Sequence, residues 1–101
     1  MERTQRYNLN AGLYFAFSGC SKLTTVNIGS EVETIPDNAF GGCSSLTEII
    51  NYSTTPQTIG DTYAFYNVNK TTCTLRVPAA SVAAYKAATG WKDFVHIVAI
   101  E

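Results

Sequence analysis

The scarcest chemical resource in this sequence is a base that works near neutral pH. His96 is its one histidine, and histidine is the side chain whose unperturbed titration falls in that range. It stands in the apolar run Phe94-Val95-His96-Ile97-Val98, which reads as a structural setting. Nucleophilic catalysis needs a hydroxyl or thiol beside such a base, and no spacing here places one. The acids Glu31, Glu33, Asp37, Glu48, Asp61 and Asp93 are scattered. No pair of them is brought together for acid/base work, and Glu31 with Glu33 reads as a solvated turn edge. Cys20, Cys43 and Cys73 allow two readings, a disulfide or metal site against buried thiols. There is no Cys-x-x-Cys pair and His96 is the only histidine, so a zinc site has almost no support. Buried thiols are the expectation for Cys20 and Cys43, since unbridged Cys is among the most buried residue types. Phosphate and calcium loops are absent from the sequence. The reading is a non-enzymatic chain with no catalytic residues, no metal and no cofactor.

What the sequence does carry is repetition. Ala16-Phe17-Ser18-Gly19-Cys20-Ser21-Lys22-Leu23-Thr24 returns as Ala39-Phe40-Gly41-Gly42-Cys43-Ser44-Ser45-Leu46-Thr47, with seven of nine positions identical and a spacing of 23 residues. A fixed period of this size marks a leucine-rich-repeat solenoid. Each repeat in such a fold buries its apolar edge only against its neighbours. The expected fold is a stack of short parallel β-strands in a right-handed coil, joined by turns and closed by a C-terminal helical cap.

The strands can be placed from alternation. In Leu23-x-x-Val26-x-Ile28, Val26 and Ile28 face one side while Thr25 and Asn27 face the other. Gly29-Ser30 turns the chain, Val32-x-x-Ile35 supplies a second inward edge, and Pro36-Asp37-Asn38 turns it again toward the inward aromatic Phe40. Gly19 and Gly42 stand where a positive φ or a close approach is expected. The next rung repeats the scheme from Leu46 and Ile49 but puts Asn51 where Ile28 stood, followed by the longer connection Asn51–Thr58. Ile59 then matches Ile35, and Ala64-Phe65 matches Ala39-Phe40. Asn67–Thr72 replaces the Gly-Cys-Ser-x-Leu element, and Cys73-Thr74-Leu75-Arg76-Val77 gives a third strand with Leu75 and Val77 inward. Leu9, Leu13, Tyr14 and Phe15 suggest a degenerate or truncated first rung.

The pattern changes at Pro78. Val82–Ala88 is rich in alanine and favours helix, with Ser81 as N-cap and Gly90 as C-terminal stop. Val82 and Tyr85 share a face, and Trp91 and Phe94 are expected to cover the end of the stack. The chain thus reads as one domain, with 1–15 the degenerate first rung, 16–77 the repeats of about 23–25 residues, and 78–101 the cap.

The register also locates a candidate binding surface. Thr25, Asn27, Glu48, Ile50, Thr74 and Arg76 are the outward residues of three successive strands, and Tyr52 extends the apolar position of Ile50. Exposed apolar residues with polar neighbours can mark a partner site, although single ones are common on any surface. If this face binds, reversing Glu48 or Arg76 is expected to weaken binding and leave the melting curve unchanged. The net charge is −1 and no basic run stands out, so sequence-independent nucleic-acid binding is not expected. No apolar stretch reaches the roughly 18 residues of a membrane span. The polar N-terminal residues lack the apolar core of a secretory signal. An uncovered N-terminal strand edge would favour self-association at that end.

The Ala-Phe-x-Gly-Cys-Ser-x-Leu-Thr-x-Val repeat resembles the BspA-like, or Treponema pallidum type, leucine-rich repeat. So does the ending, through Thr55–Gly60, Leu75–Lys86 and Gly90-Trp91-Lys92-Asp93-Phe94, which is similar to the terminal repeat and cap of Bacteroidetes surface proteins. The resemblance covers about residues 14 to 98. It implies a secreted or surface-anchored protein, and an adhesin-like role in binding a protein or glycan partner such as host matrix. The alternative is a structural spacer or capping domain of a larger surface protein, with no ligand of its own. Asn51-Tyr52-Ser53 and Asn69-Lys70-Thr71 match the glycosylation triplet, which in a protein of bacterial type is read as chance.

Overall fold

The computed structural model describes residues 6–9, 21–35, 40–59 and 64–100. Five strands, β1 (Arg6–Leu9), β2 (Thr25–Ile28), β4 (Glu48–Asn51), β6 (Thr74–Val77) and β7 (His96–Ala99), form one sheet in the order β1-β2-β4-β6-β7. Every pairing in it is parallel and joins consecutive rungs. A second, two-stranded parallel ladder joins β3 (Thr34–Ile35) to β5 (Thr58–Ile59). Ile35 pairs with Ile59 there, as their equivalence in the repeat requires. The architecture is a leucine-rich-repeat solenoid.

The alternation read from the sequence sets which side of each strand is buried. Val26, Ile49, Leu75 and Ile97 are register partners, and all four lie in the hydrophobic core. A turn edge closes the rung opposite the strands. There Phe40 stacks on Phe65 with ring centroids 5.5 Å apart and planes 8° from parallel. Phe65 in turn meets Phe94 edge-on at 5.1 Å and Trp91 at 5.3 Å. An aromatic pair of this kind adds about 0.5–1.5 kcal/mol beyond the area it buries. The backbone repeats with the side chains, since Phe40 N–H donates to the Ala64 carbonyl and Gly42 N–H to that of Tyr66, each at 2.8 Å. One rung therefore templates the next.

Gly42 has φ +84°, and the equivalent residue one rung later is Asn67, at φ +70°. Asparagine is one of the few residues that visits this left-handed region without prohibitive cost. The turn survives the change of sequence. Val68 N–H bonds to the Phe65 carbonyl at 3.0 Å, as Cys43 N–H does to that of Phe40 at 3.1 Å. Val68 takes the buried place that Cys43 holds in the preceding rung. Cys43 and Cys73 are both buried thiols, while Cys20 lies outside the described residues, as do Gly19, Leu13, Tyr14, Phe15 and Pro36–Asn38.

Three expectations for residues 78–101 are corrected. Helix α1 (Val82–Ala87) forms where alanine is dense, but the apolar run after it does more than cover the end of the stack. His96–Ala99 is a fifth parallel strand, in register with Thr74–Val77. Ser81 stands at the N-cap position without a side-chain cap bond, because its hydroxyl donates instead to the Thr54 carbonyl at 2.7 Å. The helix ends at Ala87, three residues before Gly90. Gly90 has φ +87°, and a Cβ there would lie 2.5 Å from Ile59 Cγ1. Its role is a close approach between the cap and the β3–β5 ladder. Trp91 and Phe94 are buried beneath this cap.

Candidate functional site

Asn51, which breaks the apolar slot of its rung in the sequence, is wholly buried. It is not a flaw in the core. Its Nδ2 donates to Gln57 Oε1 at 2.7 Å, and Gln57 Nε2 donates back to Asn51 Oδ1 at 3.0 Å. Ser53 N–H adds a bond to the same Oδ1 at 3.2 Å. The cap joins this cluster from the other side. Tyr85 donates its hydroxyl to the Ser53 carbonyl at 2.9 Å, with Gln57 Oε1 3.3 Å away, and Trp91 Nε1 donates to the Gln57 carbonyl at 2.9 Å. Among the described residues no buried side-chain nitrogen or oxygen lacks a partner. The long connection after β4 is thus the seat of the cap, and polar burial here costs little because it is fully satisfied.

Tyr85 and Cys73 are both held in their protonated forms. Burial pushes the Tyr85 phenol up to about 12, with the Ser53 side chain working the other way. Burial, and then the negative charge of Glu48, push the Cys73 thiol up to about 12, with Lys70 working the other way. A thiol so raised is poorly nucleophilic. Asn51 is also closed to glycosylation, being buried and engaged on its amide nitrogen.

The outer side of the five-stranded sheet gathers most of the candidate binding residues. One row runs Thr25, Glu48, Thr74, His96 and a second runs Asn27, Ile50, Arg76, Val98, one residue from each of β2, β4, β6 and β7. Neighbouring strands lie about 4.8 Å apart. Arg76 Nε donates to Glu48 Oε2 at 2.7 Å across the two rows, with the side chains 35% and 28% exposed. Ile50 is half-buried beside this pair, and Tyr52 is exposed just beyond it. Thr25 is the exception to the outward reading. It is only 6% exposed despite lying on the outward row, so it offers little surface.

Two residues of the face were not anticipated. His96 and Val98 are exposed on β7, register partners of Thr74 and Arg76. The signal was present in two forms, the alternation of His96-Ile97-Val98 and the 22 residues separating His96 from Thr74. Together with Thr72, Thr74, Arg76 and Ala99 they line a shallow concavity of about 530 Å³. Among the described residues, no three His, Cys, Asp or Glu side chains are grouped so as to hold a metal ion, and no helix is long and apolar enough to cross a membrane.

Parallel rungs of about 23 residues, with a stacked aromatic edge, define a leucine-rich-repeat protein. Within that class the particular group is identified by sequence. The chain belongs to the BspA type leucine-rich repeat family, whose model matches residues 9–88 in six copies. Strand β7 lies beyond the matched residues. Among curated proteins none matches the chain.

Proposed function

We propose that this chain is a non-enzymatic, adhesin-like interaction module of a secreted or surface protein, and that it seats its partner on the outer face of the five-stranded sheet. The observation that carries this reading is the grouping of Ile50, Tyr52 and Val98 around the Glu48–Arg76 pair, on the sheet side opposite the core. Tyr52 is 47% exposed and Val98 38%. Apolar and aromatic side chains ringed by polar ones are the usual make-up of a partner surface. Membership of a repeat family built to display an extended sheet supports the same reading.

A binding screen tests it. The folded chain and its Ile50→Asp/Tyr52→Ala variant are assayed together against immobilised matrix proteins, mucins and glycans. The expected outcome is binding by the wild type and loss of at least tenfold in a variant with native circular dichroism, as expected when a central apolar anchor is removed. Equal binding by both would move the site off the sheet face. No binding by either would favour the spacer or capping role.

A further inference from the structure

We infer that the partner reaches this face with a carboxylate, from an acidic segment of a protein flanked by apolar residues. The inference rests on the docking face proposed above and names the chemistry of its occupant.

The concavity at the β6–β7 end of the face is lined by Thr72, Thr74, Arg76, His96, Val98 and Ala99. That lining holds hydrogen-bond donors, one guanidinium and no acid. The carboxylate of Glu48 engages Arg76 through Nε at 2.7 Å. An arginine presents a planar fork of five donors. Fixing the fork by its Nε fixes the plane in which its terminal nitrogens lie, and Arg76 itself lines the concavity. An incoming carboxylate then meets an oriented guanidinium with the Thr74 hydroxyl and the His96 imidazole beside it, the Thr72 hydroxyl being donated to the Asn69 carbonyl at 3.4 Å. Such charge-assisted contacts are the strong class of hydrogen bond. The neighbours Ile50, Tyr52 and Val98 call for apolar side chains next to that carboxylate, which favours a peptide over a uniformly polar glycan. Glu48 has a second effect in this arrangement, because its carboxylate competes with the partner's for the same cation.

That competition gives the test a sign that a merely structural role would not produce. Random dodecamer peptides displayed on phage are selected on the intact chain. Selected sequences are resynthesised with a fluorophore, each as its Asp/Glu form and its Asn/Gln counterpart, and titrated by fluorescence anisotropy. Expected are peptides carrying Asp or Glu beside aliphatic or aromatic residues, weakened about tenfold by amidation or by Arg76→Gln, and tightened several-fold by Glu48→Gln. Emission of Trp91 reports that each variant is folded. Peptides lost with Ile50→Asp but neutral in composition, or indifferent to Arg76→Gln, would overturn the inference and leave the docking face standing. Peptides unaffected by Ile50→Asp, or no selected peptide at all, would overturn both. A sulfated oligosaccharide bound more tightly than any peptide, and dependent on Arg76, would also overturn it, assigning the site to glycans.

Discussion

Asn51 and Gln57 close on each other through two hydrogen bonds, at 2.7 and 3.0 Å, in the buried interior of the β4 rung. The pair stands where the repeat otherwise places an aliphatic side chain, Ile28 being the register partner of Asn51. It joins the body of the solenoid to the cap, because Gln57 also receives the indole N–H of Trp91 on its carbonyl.

Restoring the aliphatic residue is therefore expected to destabilise the protein. Asn51→Ile leaves the Gln57 amide and the Ser53 N–H without their partner, and each orphaned buried group costs about 1–3 kcal/mol. Asn51→Ile/Gln57→Leu, which removes both side-chain amides together, should recover a substantial part of that loss. Urea denaturation followed by Trp91 emission measures both variants. A single variant as stable as the wild type would contradict the account.

The repeat period, the strand alternation and the aromatic edge were legible because each depends on residues that recur at fixed spacing. Phe40 and Phe65 needed no structure to be paired, nor did Ile35 and Ile59. The polar seat of the cap was not legible in the same way. Asn51, Gln57, Ser53 and Tyr85 do not recur, and their bonds run between segments whose approach depends on the fold. The outward face was read correctly in direction for Asn27, Glu48, Ile50, Tyr52, Thr74 and Arg76. Its extent was underestimated, because Trp91 and Phe94 share an apolar stretch with His96–Ala99 and obscure its alternation. Burial of Thr25 could not be read either, since alternation gives the side of the sheet and not the cover above it.

Two left-handed residues should respond oppositely to substitution. Asn67, at φ +70°, is expected to tolerate Gly with little change, whereas Asn67→Val should cost about 1–2 kcal/mol through its β-branched side chain. Gly90→Ala should cost more than the conformational strain alone, because its new Cβ meets Ile59 Cγ1 at 2.5 Å. Adding Ile59→Ala removes the obstructing atom, so the double variant should be less destabilised than the sum of the singles. Strict additivity in the melting temperatures would show that the two residues do not touch.

Alkaline pH should unfold the protein through two identifiable groups. Folding raises the Cys73 thiol from 9.0 and the Tyr85 phenol from 10.0, each to about 12, chiefly by burial. Between those limits the unfolded chain has released protons that the folded chain retains. Stability is therefore complete below about pH 9 and falls as pH rises toward 12, by roughly 1.4 kcal/mol per pH unit for each group once its unfolded form has titrated. Cys73→Ala lowers the starting stability but should flatten the part of the decline between pH 9 and 10, where the thiol acts before the phenol. Melting temperatures measured from pH 7 to 11 decide it, and identical slopes in wild type and variant would count against the assignment to Cys73.

The Glu48–Arg76 pair alters what charge reversal on the sheet face should do. Were the two residues independent, Glu48→Lys and Arg76→Glu would each leave the melting curve where it stands. Because they are bonded at 2.7 Å and only partly exposed, each single reversal sets two like charges side by side. Exposed pairs of this kind contribute about 0.2–1 kcal/mol, so each single variant is expected to melt slightly earlier than the wild type. The swapped double variant restores opposite charges in mirrored positions and should regain most of the loss. A double-mutant cycle from denaturant unfolding at low and high salt measures the coupling, which should shrink as salt screens it. The swapped variant also separates packing from recognition. It keeps the pair but moves the cation from β6 to β4, one strand further from His96 and Val98 of β7. A partner carboxylate that needs the cation beside those residues should lose the swapped variant even though its stability is intact. Retained binding in a stable swap would mean that the pair serves the sheet alone.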